Sequence, residues 1–83
     1  MRRYTVAHAG RENDAPFSAY LYDVFRDGEK VAQLGHDYRG DEHWINLPAG
    51  KWLALPRGVL LGGGPEPLAL SRVGIEALER LID

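Results

Sequence analysis

Short runs of strand-like apolar patterning recur between Tyr4 and Leu55, separated by clusters of glycine, proline and acidic residues. Alternation with a period of two marks strands. Tyr4 to His8 predicts a first strand, with Tyr4, Val6 and His8 on one side and Thr5 and Ala7 on the other. Gly10 to Pro16 is polar and rich in turn formers, so it predicts a loop. Phe17 to Arg26 is dense in aromatic and β-branched residues, which suit a pleated surface. Both its faces are apolar, with Phe17, Ala19, Leu21 and Phe25 on one and Tyr20, Tyr22 and Val24 on the other. This places the strand centrally, with the tyrosines on a partly covered second face, where the ring is buried and the hydroxyl stays wet.

Asp27-Gly28 is a hairpin signal, and Glu29 to His36 is the return strand. A two-residue turn pairs Val24 with Val31 and Leu21 with Leu34. A three-residue turn with a Gly28 bulge pairs Tyr22 with Ala32 and Tyr20 with Leu34. The chain turns again over Asp37 to Asp41. Glu42 to Leu47 predicts a further strand, with Trp44 and Asn46 opposite His43, Ile45 and Leu47. Pro48-Ala49-Gly50 is a tight turn, Lys51 to Leu55 a short strand, and Pro56 its end. Val59 to Leu61 is a brief apolar run, and Gly62 to Pro67 a linker.

The period then changes to that of a helix. Ser71 is an N-cap residue, and Ile75, Leu78, Leu81 and Ile82 share one face, with Gly74 and Ala77 at its margin. Glu76 and Arg80 have the spacing of an ion pair. So short a helix is marginal alone and needs a sheet to dock on. The predicted fold is therefore one α+β domain over residues 1–83. It is a four- or five-stranded antiparallel meander with one C-terminal helix packed on one face.

Composition supports this reading. Forty-five per cent hydrophobic and 27% charged residues are ordinary globular usage. There are no cysteines, so neither a disulfide nor a thiolate zinc site can reinforce so small a core. A partner chain is one remaining source of stability. A formal charge of −2 argues against a dedicated nucleic-acid binder. No apolar run is long enough to span a bilayer, and the expected compartment is the cytoplasm.

Candidate chemistry concentrates in residues 35–44, which hold His36, Asp37, Arg39, Asp41, Glu42, His43 and Trp44. Imidazole with carboxylate suits a first-row metal, and His8 could join from the first strand. The spacing fits no recognised ligand motif, so a charged turn is the plainer reading and no metal or cofactor is expected. For acid–base chemistry, His36 with Asp37 and His43 with Glu42 are neighbours that point to opposite faces. A cross-turn pair such as His36 with Glu42 is better placed. Gly62-Gly63-Gly64 lacks the lysine and the free amides of a phosphate loop, because Pro65 and Pro67 follow. Trp44 and Trp52 with Lys51, Arg57 and Arg39 could stack single-stranded bases, although tryptophans packed in the core explain them as well.

The remaining candidate is a protein interface formed by Tyr20, Tyr22, Arg39, Trp44 and Trp52. One short helix can shield only one side of a sheet, and these residue types carry interface energy. Leu68 to Glu79 resembles the strand-to-helix passage after the wing of some winged-helix regulators, through one Leu-Ser-x-x-Gly pattern. No second element of that family is present, and no function is taken from it. The expectation is a non-catalytic accessory domain that binds a protein partner or itself. A nucleic-acid-binding module is the alternative, and a metal or hydrolytic site at His36 and His43 is the third reading.

Overall fold

A computed structural model describes residues 4–48, 50–61 and 69–82. The chain forms β1 (Tyr4–Arg11), β2 (Tyr20–Arg26), β3 (Glu29–Asp37), β4 (Glu42–Asn46), β5 (Trp52–Leu55), β6 (Leu60–Leu61), β7 (Ala69–Leu70) and α1 (Arg72–Ile82). The first five strands make one antiparallel meander in chain order, while β6 and β7 pair apart from it. This is the expected α+β arrangement, with five strands in the main sheet. The linker Gly62 to Pro67 lies outside the described residues.

The β2–β3 hairpin turns at Asp27-Gly28, whose φ angles are 53° and 86°. Positive φ at both central residues is what a type I′ turn requires. Arg26 faces Glu29 and Phe25 faces Lys30, but Val24 faces Ala32, so Val31 is an extra residue in β3. Neither register expected from the turn length holds beyond this point. A one-residue bulge exchanges the two faces of a strand. It brings Ala32 and Leu34 to the same side as Val24 and Tyr22.

That side is the core. Tyr22, Val24, Leu34, Ile45, Val59 and Leu78 are its largest fully buried side chains. Ile75 and Ile82 of α1 pack against the same cluster, so the helix covers this face. The faces expected for β2 are thus inverted. Tyr22 and Val24 are core residues, and Leu21 and Phe25 lie half-buried on the far side. Phe17 is outside the strand and 61% exposed.

β1 is longer than its apolar alternation suggests. A register shift between His8 and Gly10 lets Arg11 still pair with Tyr20. Arg11 Nη2 then donates to the carbonyls of Pro16 and Ser18, both at 2.9 Å, and ties down the loop that follows.

Ser71 caps α1 as expected: the Gly74 amide donates to its Oγ at 3.1 Å, and the hydroxyl donates to the Gly58 carbonyl. The buried stripe of α1 centres on Gly74, Ala77 and Leu78. Leu81, expected on that face, is 37% exposed. A Cβ at Gly74 would overlap the Val59 carbonyl, so glycine is what lets the helix approach the 59–60 segment. Glu76 pairs with Arg72 at 3.4 Å, one turn before Arg80. Among the described residues, no helix is long and apolar enough to cross a membrane.

Candidate functional site

The register lays out the sheet face opposite α1. Leu21, Gly35, Trp44 and Ala54 form one row across β2 to β5. Asp23, Gln33, Asn46 and Trp52 form the next. Trp44 is half-buried because it lies over Gly35, where a Cβ would overlap its indole. Trp52, on the outermost strand of the sheet, is 58% exposed.

The face continues into the 12–19 loop. The Arg39 guanidinium stands 5.7 Å from the Phe17 ring centroid. Asp37 orients Arg39 by accepting its backbone amide at 3.1 Å and pairing with Nε at 3.6 Å. Phe17, Asp37, Arg39 and Trp44 line a shallow groove of about 360 Å³ together with parts of the 12–19 loop, among them Asn13, Pro16 and Ser18. Lys30 pairs with Asp23 at 3.1 Å on the same face.

The interface expected from the sequence is therefore split. Trp44, Trp52 and Arg39 come together on the bare face or at its edge. Tyr22 is fully buried on the opposite side and cannot meet a partner. Tyr20 is half-buried on that same core side, against Tyr38 at 5.2 Å and beneath Arg11 at 5.2 Å. The bulge at Val31 decides this, because it fixes which side of β2 meets Leu34. Phe17, Leu21 and Gly35 belong to the bare face and were not among the expected interface residues. Glycine within a strand is a sequence sign of close approach, and at Gly35 it marks where Trp44 lies.

A second cluster lies at one end of the core face. His36 and His43 are cross-strand partners in β3 and β4. Both are buried, and their rings stack at 4.1 Å with planes 4° apart. Asp41 has φ of 52° and is exposed, and its Oδ1 lies 3.1 Å from His36 Nε2. His36 thus finds its carboxylate across the turn, but in Asp41 rather than Glu42. Asp37 and Glu42 pair with each other and point to the other face, as strand geometry expects of them. His43 Nδ1 is buried and makes no hydrogen bond. An unmet buried polar group costs about 1–3 kcal/mol. Burial, and then the neighbouring His36, push His43 below the ordinary imidazole value of 6.5, against an opposing pull from Asp41.

His8 does not join this pair. It sits on β1 against Tyr22 and Tyr20, with ring centroids at 5.7 and 6.0 Å. Tyr20 of β2 stands between it and β3. Neither described serine is available as a nucleophile beside the histidines. Ser18 Oγ donates to the Asn13 carbonyl at 2.7 Å, and Ser71 is the helix cap. The Gly62-Gly63-Gly64 candidate lies outside the described residues.

No protein-family model matches the chain, and neither a curated protein nor a solved structure is similar to it. The functional reading rests on the two surfaces themselves.

Proposed function

We propose that the protein is a non-catalytic cytoplasmic interaction domain that self-associates through the sheet face bearing Trp44 and Trp52. The observation that supports this is the one-sided covering of the sheet. Helix α1 and Val59 pack on the Tyr22–Leu34–Ile45 side, and the described residues place nothing over Trp52. Exposed aromatic area of this kind is characteristic of interface centres.

The rim favours a second copy of the chain over nucleic acid. A two-fold interface must be complementary to itself. This face balances its own charges, with Lys30 paired to Asp23, Arg39 paired to Asp37, and Glu42 and Arg57 both beside Trp44 and Trp52, so a second copy meets no unbalanced charge there. The same acids oppose a phosphate backbone, which would need a basic surplus. Self-association also suits a small cysteine-free domain with a thin margin of stability.

Light scattering across a concentration series tests the reading. The expected mass is twice that of the chain, and a strict monomer at every concentration contradicts it. Titration with single-stranded oligonucleotide at low salt separates the alternative. Quenching of the tryptophans by oligonucleotide, with no dimer present, would favour the nucleic-acid module.

A further inference from the structure

We propose that His36, Asp41 and His43 form a three-ligand site for a late first-row divalent metal ion, with Zn²⁺ as the reference occupant. Each residue offers one ligand atom, and these atoms lie within 4.8 Å of one another. Zinc bonds of about 2.0–2.2 Å place tetrahedral ligands about 3.4 Å apart. His36 Nε2 and Asp41 Oδ1 already stand 3.1 Å apart. One pair of the set therefore already has ligand spacing, and the His43 ring must close on it.

The donor chemistry selects the ion. Two imidazoles and one carboxylate suit zinc, cobalt, nickel or copper, and they do not suit magnesium or calcium, which take oxygen ligands. The second, independent observation is His43, which is 6% exposed and whose Nδ1 has no hydrogen-bond partner.

The stacking defines what must change on binding. In parallel rings 4.1 Å apart the in-plane lone pairs run side by side rather than converge. One ring must turn about its Cβ–Cγ bond to share an ion with the other. Binding therefore breaks the stack without moving β3 from β4. Among the described residues three protein ligands are supplied, which leaves the fourth position to water or an incoming group.

The experiment is thermal unfolding of the full chain with ZnCl₂, with MgCl₂ and with a chelator, for the wild type, His8→Gln and Asp41→Asn. Asp41 is exposed, so its variant keeps the fold, and His8→Gln controls for adventitious imidazole binding. Wild type and His8→Gln should gain about 10–20 °C at a hundredfold excess of Zn²⁺ over Kd. MgCl₂ should give no gain. Asp41→Asn should bind Zn²⁺ about tenfold more weakly or worse. Co²⁺ in place of Zn²⁺ should give a visible absorption band that His43→Gln abolishes. Absence of a Zn²⁺ shift in the wild type, or an equal shift and affinity in Asp41→Asn, overturns the proposal.

Discussion

Gly74→Ala should destabilise the protein, against the expectation from helix propensity. Gly74 lies two residues into α1, where alanine is favoured over glycine by about 1 kcal/mol. A Cβ there would overlap the Val59 carbonyl and crowd Leu70 Cδ2 at 3.2 Å. The carbonyl cannot easily withdraw, because it accepts the Ser71 amide at 2.9 Å. Moving it would also disturb the N-cap at Ser71. Overpacking a tight core costs about 1–3 kcal/mol, and backbone atoms belong at the upper end of that range. The net effect is a loss of about 1–2 kcal/mol, or a fall in Tm of about 5–15 °C for a domain of this size. Circular dichroism melts and urea titrations of the two proteins measure it. An unchanged urea slope would show that the native state, rather than the compactness of the unfolded chain, has changed. A variant more stable than wild type would refute the close approach of α1 to Val59.

Other consequences follow from the same geometry. Gly28→Val should cost about 1–2 kcal/mol, because a β-branched residue resists the φ of 86° that the turn requires; a wild-type melting temperature would contradict the turn. His43 makes the fold acid-sensitive. Its folded value lies below 6.5, so the unfolded chain takes up the proton first. The stability it contributes is complete above 6.5 and is lost as pH falls from there toward the folded value. Urea midpoints at about pH 7.5 and about pH 5.5 should differ more in the wild type than in His43→Gln, and equal differences would remove His43 as the cause.

Much of the fold was legible in the residues, because the signals for it are local. Alternation located the five strands of the main sheet but not the short β6 and β7, Asp27-Gly28 located the hairpin, and Ser71 located the start of the helix. What could not be read was the Val31 bulge. Val31 is an ordinary strand residue, and its extra position is set by which faces pack together rather than by its own chemistry. That one residue inverted the assignment of Tyr20, Tyr22, Leu21 and Phe25 to faces. It thereby placed two tyrosines of the expected interface on the wrong side. Trp44 and Trp52 kept their association because β4 and β5 pair without a shift. The histidine cluster was half legible. Strand geometry excluded the adjacent acids, but the choice of Asp41 over Glu42 depended on a left-handed backbone at Asp41.

Sedimentation equilibrium of the wild type beside Trp52→Glu and Val73→Glu tests the central claim most directly. Trp52 and Val73 are both exposed, at 58% and 45%, on the bare sheet face and on the helix surface. A charge at either should leave the fold intact, whereas only the first lies within the proposed contact. The expected result is a dimer for the wild type and Val73→Glu and a monomer for Trp52→Glu. A monomeric wild type, or a Trp52→Glu protein that associates as the wild type does, would contradict the assignment of this face.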